Sequence, residues 1–391
     1  MTLRDFYNRF NLDESLAEVA GHNPYYQRID SGLEGKIRVK GHEMIDLASN
    51  NYLGLATDGR VKQAAVVAVQ KYGVSLCGTP IATGYLDLYQ RVEHKLSSFV
   101  GLEQTIILPS CYQANNGLFS VIAGPQDLII VDRFAHSSLI QGIKSAGCKI
   151  RPFLHNNLEH LEGILQRSTQ YRQVFVVTES VFSTEGSIAP FKEIVQLCET
   201  YQAMPVIDDS HGLGVLGKSG GGILEEQGIQ GYSGLYTASL GKAMANFGGM
   251  ISGKKGLIDY LKYYCPHLVY STALPPAVLA GVEAVLYILQ AEFGEIKGRL
   301  VIYQREIYES LVEGGFTVVP GAAPINSIQT GSKEATFILA QKLYEEGILS
   351  TPFIEPSVPI GEGRVRLIAG ANLTQETLAE ATGIIKRIGR P

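Results

Sequence analysis

What most constrains this chain is an alternation, between residues 60 and 250, of short apolar β-branched runs with longer helical patterns. The runs are Thr105–Leu108, Leu128–Val131, Lys149–Phe153, Val174–Thr178, Pro205–Asp208, Leu235–Ala238 and Gly249–Ile251. Gly, Pro, Asp or Ser bounds most of them, as expected of strands. Stretches such as Ser137–Ser145 and Phe191–Tyr201 carry helical periodicity between them. Strands that alternate with helices form a mainly parallel sheet covered on both faces. The expected fold class is α/β, with a mainly parallel seven-stranded sheet in a large domain.

Beyond Pro275 the pattern changes. A long helix is expected first, then strands near Phe316–Val319 and Arg364–Ile368, with a helix at Glu334–Gly347. These predict a smaller α+β C-terminal domain, and 391 residues suffice for two lobes. The expected division is an N-terminal arm of helix and short strands over 1–50, a large domain over 51–280 and a small domain over 281–391. The apolar stretch Leu274–Ala291 is interrupted by Pro275-Pro276 and Glu283 and is short for a membrane span. It reads as a buried helix started by proline.

A net charge of −5 without blocks of like charge gives no reason to expect nucleic acid or an anionic membrane as partner, which leaves small molecules. The five cysteines, Cys77, Cys111, Cys148, Cys198 and Cys265, are odd in number and lack C-x-x-C spacing. Neither a disulfide framework nor a metal site is indicated, and reduced thiols in the cytoplasm are expected. Residues 1–30 lack the apolar core of a signal peptide.

Ligands of parallel sheets collect at the carboxyl ends of the strands. Here those ends carry Ser110-Cys111-Tyr112, Asp132, Glu179, Asp208-Asp209 and Ser239. Gly212-Leu-Gly-Val-Leu-Gly-Lys218-Ser219 fits a P-loop pattern, but Gly220-Gly221-Gly222 follows where a phosphate-binding helix should start. A glycine-rich loop after an active-site strand is the better reading.

Alone, Asp208 and His211 read equally well as a strand-end cap and a core histidine. Lys242 alone reads as an exposed lysine, and His136 as a structural histidine. In combination they suggest more: a lysine for a Schiff base, an acid for a pyridinium nitrogen and a nearby histidine are what pyridoxal phosphate (PLP) requires.

The order of motifs extends this. Ser49-Asn-Asn-Tyr-Leu-Gly-Leu55, Cys77-Gly-Thr, Ser110-Cys-Tyr-Gln-Ala-Asn115 and Asp132-Arg-Phe-Ala-His136 come first. Thr178-Glu-Ser-Val-Phe-Ser-Thr-Glu-Gly186, Asp208-Asp-Ser-His211, Ser239-Leu-Gly-Lys242, Tyr270-Ser-Thr-Ala-Leu-Pro275 and Arg364-Val-Arg366 follow. Over nearly its whole length the chain resembles the α-oxoamine synthases, a branch of the fold-type I PLP transferases. The resemblance implies that Lys242 is the Schiff-base lysine, that Asp208 pairs with the pyridine nitrogen and that His211 contacts the ring hydroxyl. It further implies that His136 stacks on the ring, with Glu179 and Ser183 close to the cofactor. Cys111, Tyr112 and Ser239 would hold the phosphate, joined by Thr272 from a second subunit of a homodimer. Asn50 and Arg366 match positions that bind a substrate carboxylate. Arg28 reads as an acyl-chain contact by analogy and, by itself, as a surface arginine. Arg364 and Arg366 share one face of a strand, and an exposed edge is the competing reading for Arg364.

The implied reaction condenses an amino acid with an acyl thioester of CoA or a carrier protein, with loss of carbon dioxide, as in 8-amino-7-oxononanoate synthases. Activities of the glycine C-acetyltransferase or serine palmitoyltransferase type, transamination, and a non-catalytic partner subunit are the alternatives. Tyr89 stands where the family usually has histidine, and Ala371-Asn372 replaces a histidine-containing stretch. Both departures bear on the choice of substrate.

Overall fold

The computed structural model describes residues 6–10 and 23–389. Residues 1–5 and 11–22 of the expected N-terminal arm lie outside them. The arm's short strands are β1 (Lys36–Val39) and β2 (His42–Asp46), an antiparallel hairpin. Its two turn residues, Lys40 and Gly41, both have positive φ (50° and 84°), which matches the twist of a tight hairpin.

All seven strands expected of the large domain form. They are β3 (Gln104–Leu108), β4 (Leu128–Asp132), β5 (Lys149–Phe153), β6 (Val174–Glu179), β7 (Met204–Asp208), β8 (Leu235–Ser239) and β9 (Gly249–Gly253). They make one sheet in the order β3-β9-β8-β7-β6-β4-β5. Pairing is parallel except at β9, which runs antiparallel to β3 and β8. Because side chains alternate across the sheet, each strand feeds two cores. Ile107, Ile130, Val176, Ile207 and Tyr236 face one, and Ile106, Ile129, Val177, Val206 and Leu235 the other. Burial on both faces explains why β4 and β6 read as continuous apolar runs.

The helix Pro276–Glu313 begins with proline at its first turn, where the missing N–H costs nothing. It runs unbroken through residue 280. Leu279, Val282, Leu286, Leu289 and Phe293 pack into the large core, and Tyr303, Ile307 and Leu311 into a C-terminal one. Among the described residues it is the one helix long and apolar enough to cross a membrane by length and composition. In this fold part of its apolar surface lines the two cores, while Tyr287, Val301, Ile302, Tyr308 and Val312 stay exposed.

The C-terminal sheet contains β10 (Asn326–Gly331), β12 (Thr351–Phe353) and β13 (Gly363–Leu367), with β13 in the middle and antiparallel to both neighbours. The short β11 (Ile348–Leu349) instead pairs with β2 and ties the N-terminal arm to this domain. The helix expected at Glu334–Gly347 spans Lys333–Glu345 and is capped by Ser332. The strand expected at Phe316–Val319 is reduced to a single bridge between Val318 and Ile328. Pro320, which has no N–H to donate, ends the ladder at once.

Candidate active site

Four parallel strands end on the same edge of the sheet, which brings Asp132, Glu179, Asp208 and Ser239 together; Glu179 and Asp208 are register partners. After β8 the chain turns sharply: Gly241 N donates to Ser239 Oγ (3.1 Å) and Ala245 N to Lys242 O (2.8 Å). This turn directs Lys242 into a cavity of about 280 Å³. Cys111, Tyr112, His136, Glu179, Asp208 and Ser239 line the same cavity.

The amine of Lys242 makes no hydrogen bond or ion pair among the described residues. Burial lowers its pKa, against the opposing pull of Asp208. Burial likewise pushes Glu179 well above the usual carboxylate range, with Asp208 adding to the effect. Glu179 Oε1 accepts the backbone N–H of His136 (2.6 Å).

Asp208 is held on both oxygens. Oδ1 accepts from Ser210 N (3.0 Å) and Oδ2 from Asn115 Nδ2 (2.7 Å). His211 is buried, and its Nδ1 lies 2.7 Å from the hydroxyl of Tyr52. Burial, then the charge of Lys242, holds its pKa well below the usual value, which favours the neutral ring. His136 caps the helix Ser137–Ser145, its Nδ1 accepting from Ser138 N (3.2 Å). Burial lowers its pKa too.

The N-terminus of a helix also borders this cavity. Ser110 caps the helix Cys111–Ile122 by accepting from Gln113 N (3.1 Å). The N–H groups of Cys111 and Tyr112 are in the first turn, where no intrahelical acceptor exists, so with the helix dipole they suit a phosphate. Gly249 permits this approach: a Cβ there would sit 2.3 Å from Cys111 N. These donors, the lysine and the carboxylate facing it fit the phosphate, aldehyde and ring nitrogen of PLP.

A neighbouring chamber of about 670 Å³ shares His136 and Glu179 with the cavity and reaches Ser183, Thr184, Phe353 and Arg364. Ser183 lines this chamber, and its carbonyl accepts from Arg366 Nη1 (3.0 Å). Arg366 is 5% exposed, lies over the ring of Phe353 and has a buried Nε with no hydrogen-bond partner among the described residues. Asn50 Oδ1 is likewise buried without a partner among the described residues. Arg364 is not on an exposed edge. It lies in the central strand, 6% exposed, and pairs with Glu185 at 2.6 Å.

Asn50, His211 and Arg366 are not among the residues that line either chamber, and neither are two exposed residues, Thr272 and Arg28. Thr272 is exposed, just before the helix Pro276–Glu313. Arg28 faces solvent and pairs with Asp30 (2.8 Å). Tyr89 is buried, stacks on Tyr85 and accepts the N–H of Leu274, so it anchors the segment that carries Thr272. Asn372 packs against Gly54 and donates to Leu33 O (3.4 Å). In the P-loop look-alike, the N–H groups of Ser219 and Gly221 donate to the Glu225 carboxylate, which takes the place a phosphate would need.

Sequence reasoning assigned no role to Asn115, Ser138 or Tyr52, which hold Asp208, His136 and His211. A signal for the first was present: Asn115 is four residues after Cys111 and therefore on the same helix face.

Residues 42–385 match the family model described as aminotransferase class I and II. An 8-amino-7-oxononanoate synthase of Bacillus pumilus is 33% identical over 94% of this chain and 93% of its own. A serine palmitoyltransferase from S. paucimobilis, solved with PLP and myriocin bound, has a TM-score of 0.92 at 25% identity and covers 96% of this chain and 97% of that one. An 8-amino-7-oxononanoate synthase from Francisella tularensis has a TM-score of 0.75 at 27% identity, with 88% and 97% covered. The chain thus belongs to the aminotransferase class I and II family and, within it, to the α-oxoamine synthases.

Proposed function

We propose that this protein is a PLP-dependent C-acyltransferase that joins an amino acid to an acyl thioester of CoA or an acyl-carrier protein. The thiol and carbon dioxide leave, and an α-aminoketone is formed. The 33% identity to an 8-amino-7-oxononanoate synthase favours this decarboxylating variant. The observation that carries the reading is a lysine that shares one cavity with a doubly hydrogen-bonded carboxylate and with the N-terminus of a helix.

PLP held there supplies a sink for the electron pair left when the α-proton departs. The protein's own groups do the remainder. Lys242 is the group to hold the aldehyde carbon and, once free, to take the α-proton; its lowered pKa leaves more of it unprotonated near neutral pH. Asp208 would pair with the ring nitrogen, His211 would meet the ring hydroxyl and His136 would stack on the ring. Cys111, Tyr112 and Ser239 would hold the phosphate. Arg366, with a donor to spare, receives the amino acid's carboxylate together with Asn50. The adjoining chamber receives the acyl arm.

The working unit is a homodimer, in which Thr272 completes the phosphate site of the partner. Thr272 is exposed, and Tyr263, Tyr264 and Tyr270, close to it in sequence, are 67%, 60% and 83% exposed, which leaves aromatic side chains available for burial. Its five unpaired cysteines support a reducing, cytoplasmic setting. Borohydride reduction of the PLP-loaded protein, digestion and mass spectrometry test the assignment. The peptide containing Lys242 gains the mass of reduced PLP if the reading holds; label on another lysine overturns it.

A further inference from the structure

Asn115 is fully buried, and its side-chain amide reaches three elements at once. One hydrogen of Nδ2 goes to Asp208 Oδ2 (2.7 Å) and the other to Ser138 Oγ (2.9 Å), while Oδ1 lies 2.8 Å from Thr237 Oγ1. The Cys111 thiol, 3.8 Å from Nδ2, is a weak further acceptor. The direction of every bond follows from Asp208. A carboxylate only accepts, so the NH₂ end of the amide faces it and the carbonyl end faces Thr237, which must donate. Ser138 Oγ then accepts from Asn115, and its single proton is free for His136 Nδ1, 2.8 Å away. That nitrogen also accepts the backbone N–H of Ser138 (3.2 Å), so its lone pair is taken and the ring's proton lies on Nε2.

We propose that Asn115 is a positioning residue that fixes Asp208 and His136 together, through a one-way chain of donors starting at its amide. The inference rests on the PLP reading only in what Asp208 and His136 act upon. Asn115 touches neither cofactor nor substrate. It holds the carboxylate that would meet the ring nitrogen and, through Ser138, the imidazole that would stack on the cofactor. A protonated His136 Nδ1 would oppose both Ser138 donors, so the chain also resists a charge on that ring. The charged groups facing His136 are Asp208 and Lys242, with Glu179 on its backbone N–H.

The test compares wild type with Asn115→Ala, Ser138→Ala and the near-isosteric Thr237→Val. PLP affinity is read by absorbance titration, and the His136 titration midpoint by NMR on the protein without PLP. The His136 signal is assigned by its loss in His136→Gln. Asn115→Ala should weaken PLP binding about ten-fold, the loss of one hydrogen bond to a charged group, and raise the His136 midpoint. Ser138→Ala should raise the midpoint with PLP affinity nearly kept. Thr237→Val, which leaves the amide unanchored, should shift both in the same direction by less, and it decides the matter should Asn115→Ala not fold. A fall in melting temperature with neither PLP affinity nor the His136 midpoint moved would make Asn115 a merely structural amide and overturn the proposal. Failure of the wild type to bind PLP would sink the cofactor reading, whereas the His136 arm is measured without it.

Discussion

The hydroxyl of Tyr52 lies 2.7 Å from Nδ1 of His211, and both side chains are buried. This contact joins the segment after the N-terminal hairpin to the loop after β7, 159 residues on. It fixes which way the imidazole presents its other nitrogen. Tyr52→Phe keeps the ring's packing and removes the bond. It should cost about 1 kcal/mol of stability and lower kcat/KM about ten-fold. Thermal melts and steady-state thiol release measure the two effects.

Arg366 is a buried cation whose Nη1 donates to Ser183 O and whose Nε has no partner among the described residues. Burial lowers its pKa. If it receives the amino acid's carboxylate, Arg366→Lys keeps the charge and loses the planar fork. The KM for amino acid should then rise about 10- to 100-fold, while the KM for acyl thioester changes little. Equal rises in both would place Arg366 elsewhere in the reaction.

A second charged network fastens the C-terminal domain to the large one. His155 bridges Asp132 (3.1 Å) and Glu185 (3.0 Å), and Glu185 pairs with Arg364 of β13 (2.6 Å). Burial opposes charge on His155, but hydrogen bonds to Asp132 and Glu185 outweigh it and raise the pKa to about 9. Because the folded value exceeds the ordinary 6.5, this stabilisation is full below pH 6.5 and is lost as pH rises through about 9. His155→Gln should flatten the stability profile across that window, as measured by urea unfolding at a series of pH values.

Asp209, beside Asp208 in sequence, is fully buried and accepts from Ile223 N (2.8 Å) and Tyr236 OH (2.9 Å). Burial raises its pKa to about 7 from 3.8. The sign is that of any raised acid: its contribution is complete below pH 3.8 and is lost as pH climbs through about 7. Asp209→Asn retains an acceptor and removes the titration, so the pH dependence of stability in that window should shrink. An unchanged slope would show that other groups control it.

The sheet was legible because its strands are buried on both faces, so β4 and β6 carry an unbroken apolar signature into the sequence. Lys242, Asp208, His136 and Glu179 were legible because strand ends in a parallel sheet converge, and each sits at or just beyond one. Contacts between distant elements were not. Asn115 and Asp208 are 93 residues apart, and no spacing rule links them. Arg364 looked like a candidate for an exposed edge because a sequence does not reveal that β13 has a neighbour on each side. The bridge at Val318 looked like a strand because its β-branched neighbours outweighed the one proline that ends it.

Release of free thiol from an acyl-CoA by the PLP-loaded protein, with and without amino acid, tests the central claim most directly. Across a panel of amino acids and acyl chain lengths, thiol should appear only when a suitable amino acid is present and should vanish in Lys242→Ala. Formation of a 2-oxo acid from the amino acid with no thioester consumed would contradict the account and make the protein an aminotransferase.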